Sequence, residues 1–382
     1  MRFVKIFLAS AVAAFIFASC GKSDEQASSL PTTAVSGHME LEYADQFSVD
    51  HLENGCSLIE TGGEKFLLIP ENSGKIEIPK DTTPLYQPLE NLYVASSASV
   101  DLFDGIDSLD AVKFVSTDRG DWSLPNVAKA MDDGEIAYVG KYRAPDFELL
   151  VDEKCGLAVE NTMIFHNPDI KEQLEELGIP VIVDHSSYET HPLGRMEWIK
   201  LYGLLLGKSD EAEKFFNEKT ALFNSVLSAD NQDSPRKTVA FFYVSSSGYI
   251  NVRRPGDYIS RMIELAGGEY IIKSDENDGE SAASTMNMQP EAFYEAAKDA
   301  DILIYNSTVD GEYDSIDQLI EKCALLEDFK AVQNGDVWCT EQNMFQQTTG
   351  AADMIYDINS ILNGTAAERT TYIYRLEQGK NS

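Results

Sequence analysis

Two arginines stand side by side in the stretch SSSGYINVRRPGD, residues 245–257. The chain around them is acidic, with 64 Asp and Glu against 30 Lys and Arg and a formal net charge of −34. Arg253 and Arg254 carry forked guanidinium donors, which suit carboxylate, catecholate, hydroxamate or propionate oxygens. In an extended strand successive side chains point to opposite faces, so at most one of the pair faces a ligand. Pairing with the chain's own carboxylates is the competing role. Other chemistry is sparse. GxSxG, Walker A and GxGxxG motifs are absent, and no Ser/His/Asp set is suggested by order or spacing. The five histidines include no HExxH, and Cys56, Cys155, Cys323 and Cys339 form no CxxC, so zinc is not indicated. Those cysteines read as buried thiols or one incidental disulfide. Carboxylates are too abundant for any two to be singled out as acid and base.

What remains is a set of polar and aromatic residues that follow apolar runs. In α/β lobes the loops beyond the strand C-termini line the ligand crevice. In the first half Ser96, Ser97 and Ser99 follow LYVA, and Trp122 lies in STDRGDWS. Tyr142 and Arg143 follow IAYVG, Glu160 and Thr162 end GLAVE, and His185, Tyr188, Glu189 and Arg195 follow PVIVD. In the second half Tyr243, Tyr249, Arg253 and Arg254 follow TVAFF. Asn306 and Ser307 follow DILIY, and Gln342, Asn343, Gln346 and Gln347 follow DVWCT. Strand-end logic predicts that these loops converge on one cleft. There Trp122, Tyr142, Tyr188, Tyr243 and Tyr249 would stack on a flat ligand, and Arg143 would face the arginine pair from the opposite lobe.

The elements that must position these residues are legible. Residues 44–70 read as short strands broken by Asn54-Gly55 and Gly62-Gly63, the turn residues of hairpins. From residue 91 apolar runs alternate with helical stretches, the pattern of a mainly parallel sheet. NPDIKEQLEELG has Asn167 as N-cap, Pro168 in the first turn and Gly178 as stop. MEWIKLYGLLLG reads as one helix. Residues 209–228 read as the next, capped by Ser209, with Asp210 and Glu211 at the positive end of its dipole. The alternation restarts at TVAFFYV and closes with AADMIYDINSIL as a helix. PDFELLVDEKCGLAVE (145–160) and PEAFYEAAKDADILIY (290–305) align without a gap, each a helix followed by a strand. That suits two lobes of similar build.

The N-terminus MRFVKIFLASAVAAFIFASC has the charge, apolar core and small-residue order of an export signal. Phe17-Ala18-Ser19-Cys20 resembles a lipobox, with Cys20 as the lipidated first residue of the mature chain. The polar stretch 21–37 reads as a disordered tether. The acidic balance argues against nucleic acid, since phosphate binding needs basic surface.

Taken in order, GKYRAPDFELLVDEKCGLAVE, LEELGIPVIVD, HPLGRMEWIKLYGLLLGKSDEAEKFF, DYISRMIELAGGE and DFKAVQNGDVWC resemble the class III substrate-binding proteins of bacterial ABC importers. That family takes up iron–siderophore complexes, haem and cobalamin. The resemblance covers about residues 85–362. It implies two Rossmann-like α/β lobes with mainly parallel sheets, joined by one rigid helix and preceded here by a small β meander. It implies a ligand held between the lobes and no chemistry of the protein's own. The partition expected is signal 1–19, lipidated Cys20 and tether 20–37, β-rich segment 38–84, first lobe 85–208, linking helix 209–228, second lobe 229–362 and tail 363–382. The resemblance further implies docking to a permease, with its ATPase, through one acid per lobe: Glu148 in the first, Glu291 in the second, with Glu295 as a rival. The expected ligand is an iron chelate or haem-like compound, less readily a corrinoid, and the protein is expected to be a monomer without catalytic residues or a cofactor of its own. Ligation by His185 or His191 would favour haem or corrinoid. Two other classes stay open: a lipoprotein enzyme using two cleft carboxylates, and an adhesin without a closed cleft.

Overall fold

The computed structural model describes residues 34–229, 235–273 and 284–378. Cys20, the leader and most of the tether lie outside them. The first sheet has five strands: β1 (Val35–His38), β2 (Phe47–Leu52), β3 (Ser57–Thr61), β4 (Glu64–Ile69) and β5 (Thr83–Tyr86). β1 to β4 pair antiparallel in chain order. The meander expected over residues 44–70 is thus β2 to β4, and β5 joins its edge parallel to β4. Gly62 and Gly63, at φ +57° and +79°, make the β3–β4 turn, which needs two left-handed residues. The last tether residues are not loose, because Val35–His38 pairs with β2. Backbone ladder bonds suffice there, although the strand buries little.

The first lobe alternates strand and helix: β6 (Leu92–Val94), α1 (Ser97–Asp104), β7 (Val112–Val115), α2 (Pro125–Asp132), β8 (Ala137–Tyr138), α3 (Phe147–Asp152), β9 (Ala158–Asn161), α4 (Pro168–Glu176) and β10 (Val181–Asp184). Its strands are all parallel, in the order β10-β9-β6-β7-β8. Asn167 sits at the N-cap of α4 but makes no capping bond, and Pro168 starts the helix.

Helices α5 (Pro192–Glu197), α6 (Ile199–Leu205) and α7 (Ser209–Ala229) lead to the second lobe. The helix expected from Met196 begins at Pro192 instead and is interrupted at Trp198. Ser209 is the first residue of α7 rather than its cap, with Asp210 and Glu211 in the first turn. α7 buries Ala212, Phe216, Phe223 and Val226 along one side. Each such side chain withdrawn from water contributes about 1.5–3 kcal/mol, alanine less.

The second lobe comprises β11 (Thr238–Val244), β12 (Ile250–Arg253), α8 (Tyr258–Leu265), β13 (Glu269–Tyr270), β14 (Thr285–Met288), α9 (Pro290–Ala297), β15 (Ile302–Tyr305), α10 (Ile316–Lys322), α11 (Lys330–Asn334), β16 (Val337–Thr340), α12 (Ala351–Leu362) and β17 (Ile373–Arg375). Its sheet runs β14-β12-β11-β15-β16-β17, with β13 also against β11. β11, β13, β15 and β16 are parallel, and β12, β14 and β17 are antiparallel additions. The C-terminal segment is thus not a bare tail, since β17 pairs with β16. α3–β9 and α9–β15 are the two stretches that align in sequence. All four cysteines in the described residues are free. One apolar core runs from Phe47 in the first sheet through Trp198 and Phe216 to Phe242 and Ile358, while Tyr93, Phe114 and Leu150 belong to a second core in the first lobe.

Candidate ligand-binding cleft

In each lobe the chain leaves the first strand to one side and later returns to the other. The reversal falls between β6 and β9 in the first lobe and between β11 and β15 in the second. Adjacent loops diverge at such a point and leave a crevice beyond the strand C-termini. The two sets of loops meet. Gln346, after β16, accepts from the Ser123 amide at 2.8 Å and donates through its side-chain nitrogen to the Asp121 carbonyl at 2.7 Å. Thr348 Oγ1 donates to the Ala98 carbonyl at 2.9 Å, and the Thr349 amide donates to Asp101 Oδ2 at 2.7 Å. Burial pushes Asp101 up to about 6, against the pull of its bonds from Thr349.

Residues 187–190 of the first lobe and 254–258 of the second line a groove of about 340 Å³. The arginine pair divides as strand alternation requires. Arg253 turns inward with its side chain 12% exposed, 3.7 Å from Asp257. Its guanidinium lies 4.7 Å from the Phe345 ring and 5.7 Å from the Tyr258 ring. Arg195, from α5, covers Tyr258 at 4.0 Å. Burial raises the Asp257 carboxyl, and Arg253 and Arg195 offset part of that rise. Arg254 lines the groove, with Nε donating to the Thr285 carbonyl at 3.3 Å. Tyr188 lines the same groove from the other lobe and is 50% exposed.

The sequence reading missed two residues. Met163 and Phe165, in the 3-10 turn 162–166 after β9, are 49% and 51% exposed. Their exposure has no local signal in TMIFH, since it depends on what the rest of the fold leaves uncovered. Phe165 lies 5.7 Å from the His185 ring, and His185 lies 5.5 Å from Tyr188. The three rings form one patch, fastened below by a Thr162–Ser187 hydroxyl contact at 3.2 Å.

Other expected contacts fall elsewhere. Glu160 is fully buried inside the first lobe, not at its surface, because its side chain shares the Tyr93 and Ala158 face of the sheet. Neither of its carboxyl oxygens has a hydrogen-bond partner, and burial pushes it up to about 8. Trp122 is buried with its indole N–H given to the Thr117 carbonyl at 3.1 Å, so it packs rather than presents a face. Asn306 is buried and spends its side-chain oxygen on the Thr308 amide and hydroxyl. Gln342 donates to the Ser307 carbonyl at 3.0 Å. Tyr142 packs half-buried on the first lobe's second core, and Arg143 is exposed beside it. Ser96 and Ser97 are half-buried at the start of α1, whose N-cap, Ser96, makes no side-chain bond. Tyr243 is half-buried on β11, and Tyr249 is 41% exposed where β12 begins. His191 does not face the groove as a free ligand. It accepts from the Leu193 amide at 3.2 Å and stacks on Tyr43 at 4.5 Å, and burial lowers it to about 4.

A family model described as periplasmic binding protein matches residues 93–343. The chain belongs to this family. Among relatives, an uncharacterized lipoprotein of Methanocaldococcus jannaschii is 26% identical over 334 residues, covering 83% of this chain and 77% of that protein. Among solved structures, the periplasmic haem-binding protein HutB of Vibrio cholerae is similar with a TM-score of 0.58 at 16% identity, over 72% of this chain and 98% of that one. The periplasmic catecholate-siderophore-binding protein VctP of Vibrio cholerae follows with a TM-score of 0.57 at 16% identity, over 72% of this chain and 95% of that one. These likenesses are of fold, the two-lobed one expected from the sequence. For a periplasmic binding protein, the sheet at residues 35–86 is an addition outside the family match.

Proposed function

We propose that this periplasmic binding protein is a lipid-anchored receptor of an ABC importer. It captures a flat or aromatic-rich anionic metal chelate, an iron–siderophore or haem-like compound before a corrinoid, and passes it unaltered to a membrane permease. One observation carries the reading: Tyr188 of one lobe and Arg254 of the other line a single groove at the strand ends. A ring next to a guanidinium recognises an aromatic anion through stacking and charge together. The names of the solved neighbours, haem-binding and catecholate-siderophore-binding, agree with that chemistry. The lipoprotein relative supports an anchor at Cys20. A hydrolase would need two working carboxyl groups in the groove. Its two acids are engaged: Glu189 accepts from the Asp45 and Gln46 amides and the Trp198 indole, and Asp257 accepts from the Ile259 amide beside Arg253.

Glu148, exposed in the first turn of α3, and Glu291, exposed in the first turn of α9, are the proposed permease contacts. Glu295 pairs with Lys298 at 3.0 Å, which favours Glu291 for the role. Charge-assisted pairs with permease arginines are the expected chemistry.

The test is calorimetry with iron(III) catecholate, iron(III) hydroxamate, haemin and cyanocobalamin, beside native mass spectrometry of protein purified from its own source. Binding of at least one probe at about micromolar affinity or tighter is expected. Failure with all four, and no co-purifying chelate, overturns the reading.

A further inference from the structure

The sheet at residues 35–86 lies outside the family match, yet it reaches the loop that presents Tyr188. That loop runs from His185 to Glu189 after β10 and is held at both ends. At one end the β3–β4 turn presses on His185. A methyl group at Gly62 would stand 2.3 Å from His185 Nε2 and 2.9 Å from Cε1. At the other end Glu189 accepts from the Asp45 amide at 3.0 Å and the Gln46 amide at 3.1 Å. The turn is itself pinned. Thr61 Oγ1 donates to the Gln46 carbonyl at 3.1 Å, and Lys171 of α4 holds Glu64 at 2.8 Å. Between the two grips the Tyr188 amide donates to the His185 carbonyl at 2.8 Å, and the His185 ring sits among Gly62, Phe165 and Tyr188.

We infer that the accessory sheet is a positioning element of the ligand site: its 61–64 turn and its 45–46 segment clamp the 185–189 loop and so set the aromatic face that a ligand meets. The inference rests on the reading of the cleft as the ligand site. It deepens that reading by giving selectivity among chelates to a part of the chain outside the family core. A clamp of this kind removes rotamer and loop freedom before binding, which raises affinity for a ligand matched to the held geometry. It also penalises ligands that need the rings elsewhere.

Gly62→Asn and Gly63→Asn form the test pair. Both glycines have positive φ, a conformation asparagine tolerates better than other residues. A Cβ at Gly62 meets His185, whereas one at Gly63 meets nothing within 4 Å. Affinities for the four probes above are measured for wild type and both variants, with melting temperatures and His185 imidazole NMR signals as companions. Gly62→Asn is expected to shift the His185 signals, weaken the preferred probe by about tenfold and change the ratio between probes, while Gly63→Asn stays within about twofold. Should Gly62→Asn not fold, Lys171→Met releases the outer pin without a steric clash and is expected to change the same ratio. If no probe binds the wild type, the cleft reading itself fails. If wild type binds and every ratio survives Gly62→Asn, or survives Lys171→Met in its place, the clamp is overturned and the cleft stands.

Discussion

Gln346 and Ser123 join the two lobes: the side-chain oxygen of one accepts the backbone amide of the other at 2.8 Å. The same glutamine gives its NH₂ group to the Asp121 carbonyl. One amide side chain thus satisfies a donor and an acceptor of the opposite lobe, so it acts as a latch with a defined orientation.

Gln346→Ala removes both bonds, at about 0.5–1.5 kcal/mol each. Faster amide exchange in residues 119–123 and a severalfold loss of ligand affinity are expected. Gln346→Glu retains the acceptor for Ser123 but sets a carboxylate against the Asp121 carbonyl, so it should weaken closure at least as much. Unchanged exchange in both variants would remove the latch.

The arginine pair should separate in experiment. Arg253→Ala strips the cation from Phe345, Tyr258 and Asp257 and leaves that acid in a dry setting. A stability loss of about 1–3 kcal/mol in urea unfolding is expected. Arg254→Ala should cost less stability and more binding, with a loss for anionic chelates that shrinks at high salt. Equal effects of the two substitutions on affinity would contradict the assignment of inward and groove-lining roles.

Glu197 is fully buried and accepts from the amides of Glu42, Tyr43 and Ala44, with Lys200 at 3.0 Å. It fastens the accessory segment to α5. Glu197→Ala leaves those amides without their acceptor and Lys200 with Glu213 alone as counter-ion, which costs about 3 kcal/mol. Glu197→Gln retains an acceptor and should cost less. Calorimetric melting distinguishes the two.

Glu160 gives a pH signature. Burial, with no hydrogen-bond partner for either carboxyl oxygen, raises its folded pKa to about 8 from an ordinary 4.5. The folded protein therefore holds a proton that the unfolded chain releases between those values. Stability from this group is greatest below the unfolded pKa and falls as pH rises towards 8, with a slope of up to about 1.4 kcal/mol per pH unit. Glu160→Gln, neutral throughout, should flatten the melting curve over that window and be the more stable form at pH 8. An unchanged slope would place the titration elsewhere.

Local pattern carried much of this architecture. Hairpin glycines, alternating apolar runs and helix stops are short-range signals, and they located the sheets and the long helix 209–229. Strand alternation even anticipated that Arg253 and Arg254 would part. Other features depended on contacts remote in the chain. Glu160 sits at a strand end like the expected ligand contacts, but which face of β9 it occupies follows from the register with β6 and β10. His185 looked like a candidate metal ligand, yet it is packed beneath a turn 123 positions earlier, at Gly62. Nothing local to residues 162–166 marks Phe165 as exposed, since its exposure reflects what fails to cover it. By itself the sequence determined the repertoire of elements and their order, because backbone sterics and side-chain periodicity act within a few residues. Only the tertiary structure decided which polar groups reach the cleft and which are sealed away, because burial is a property of neighbours that the chain brings together only on folding.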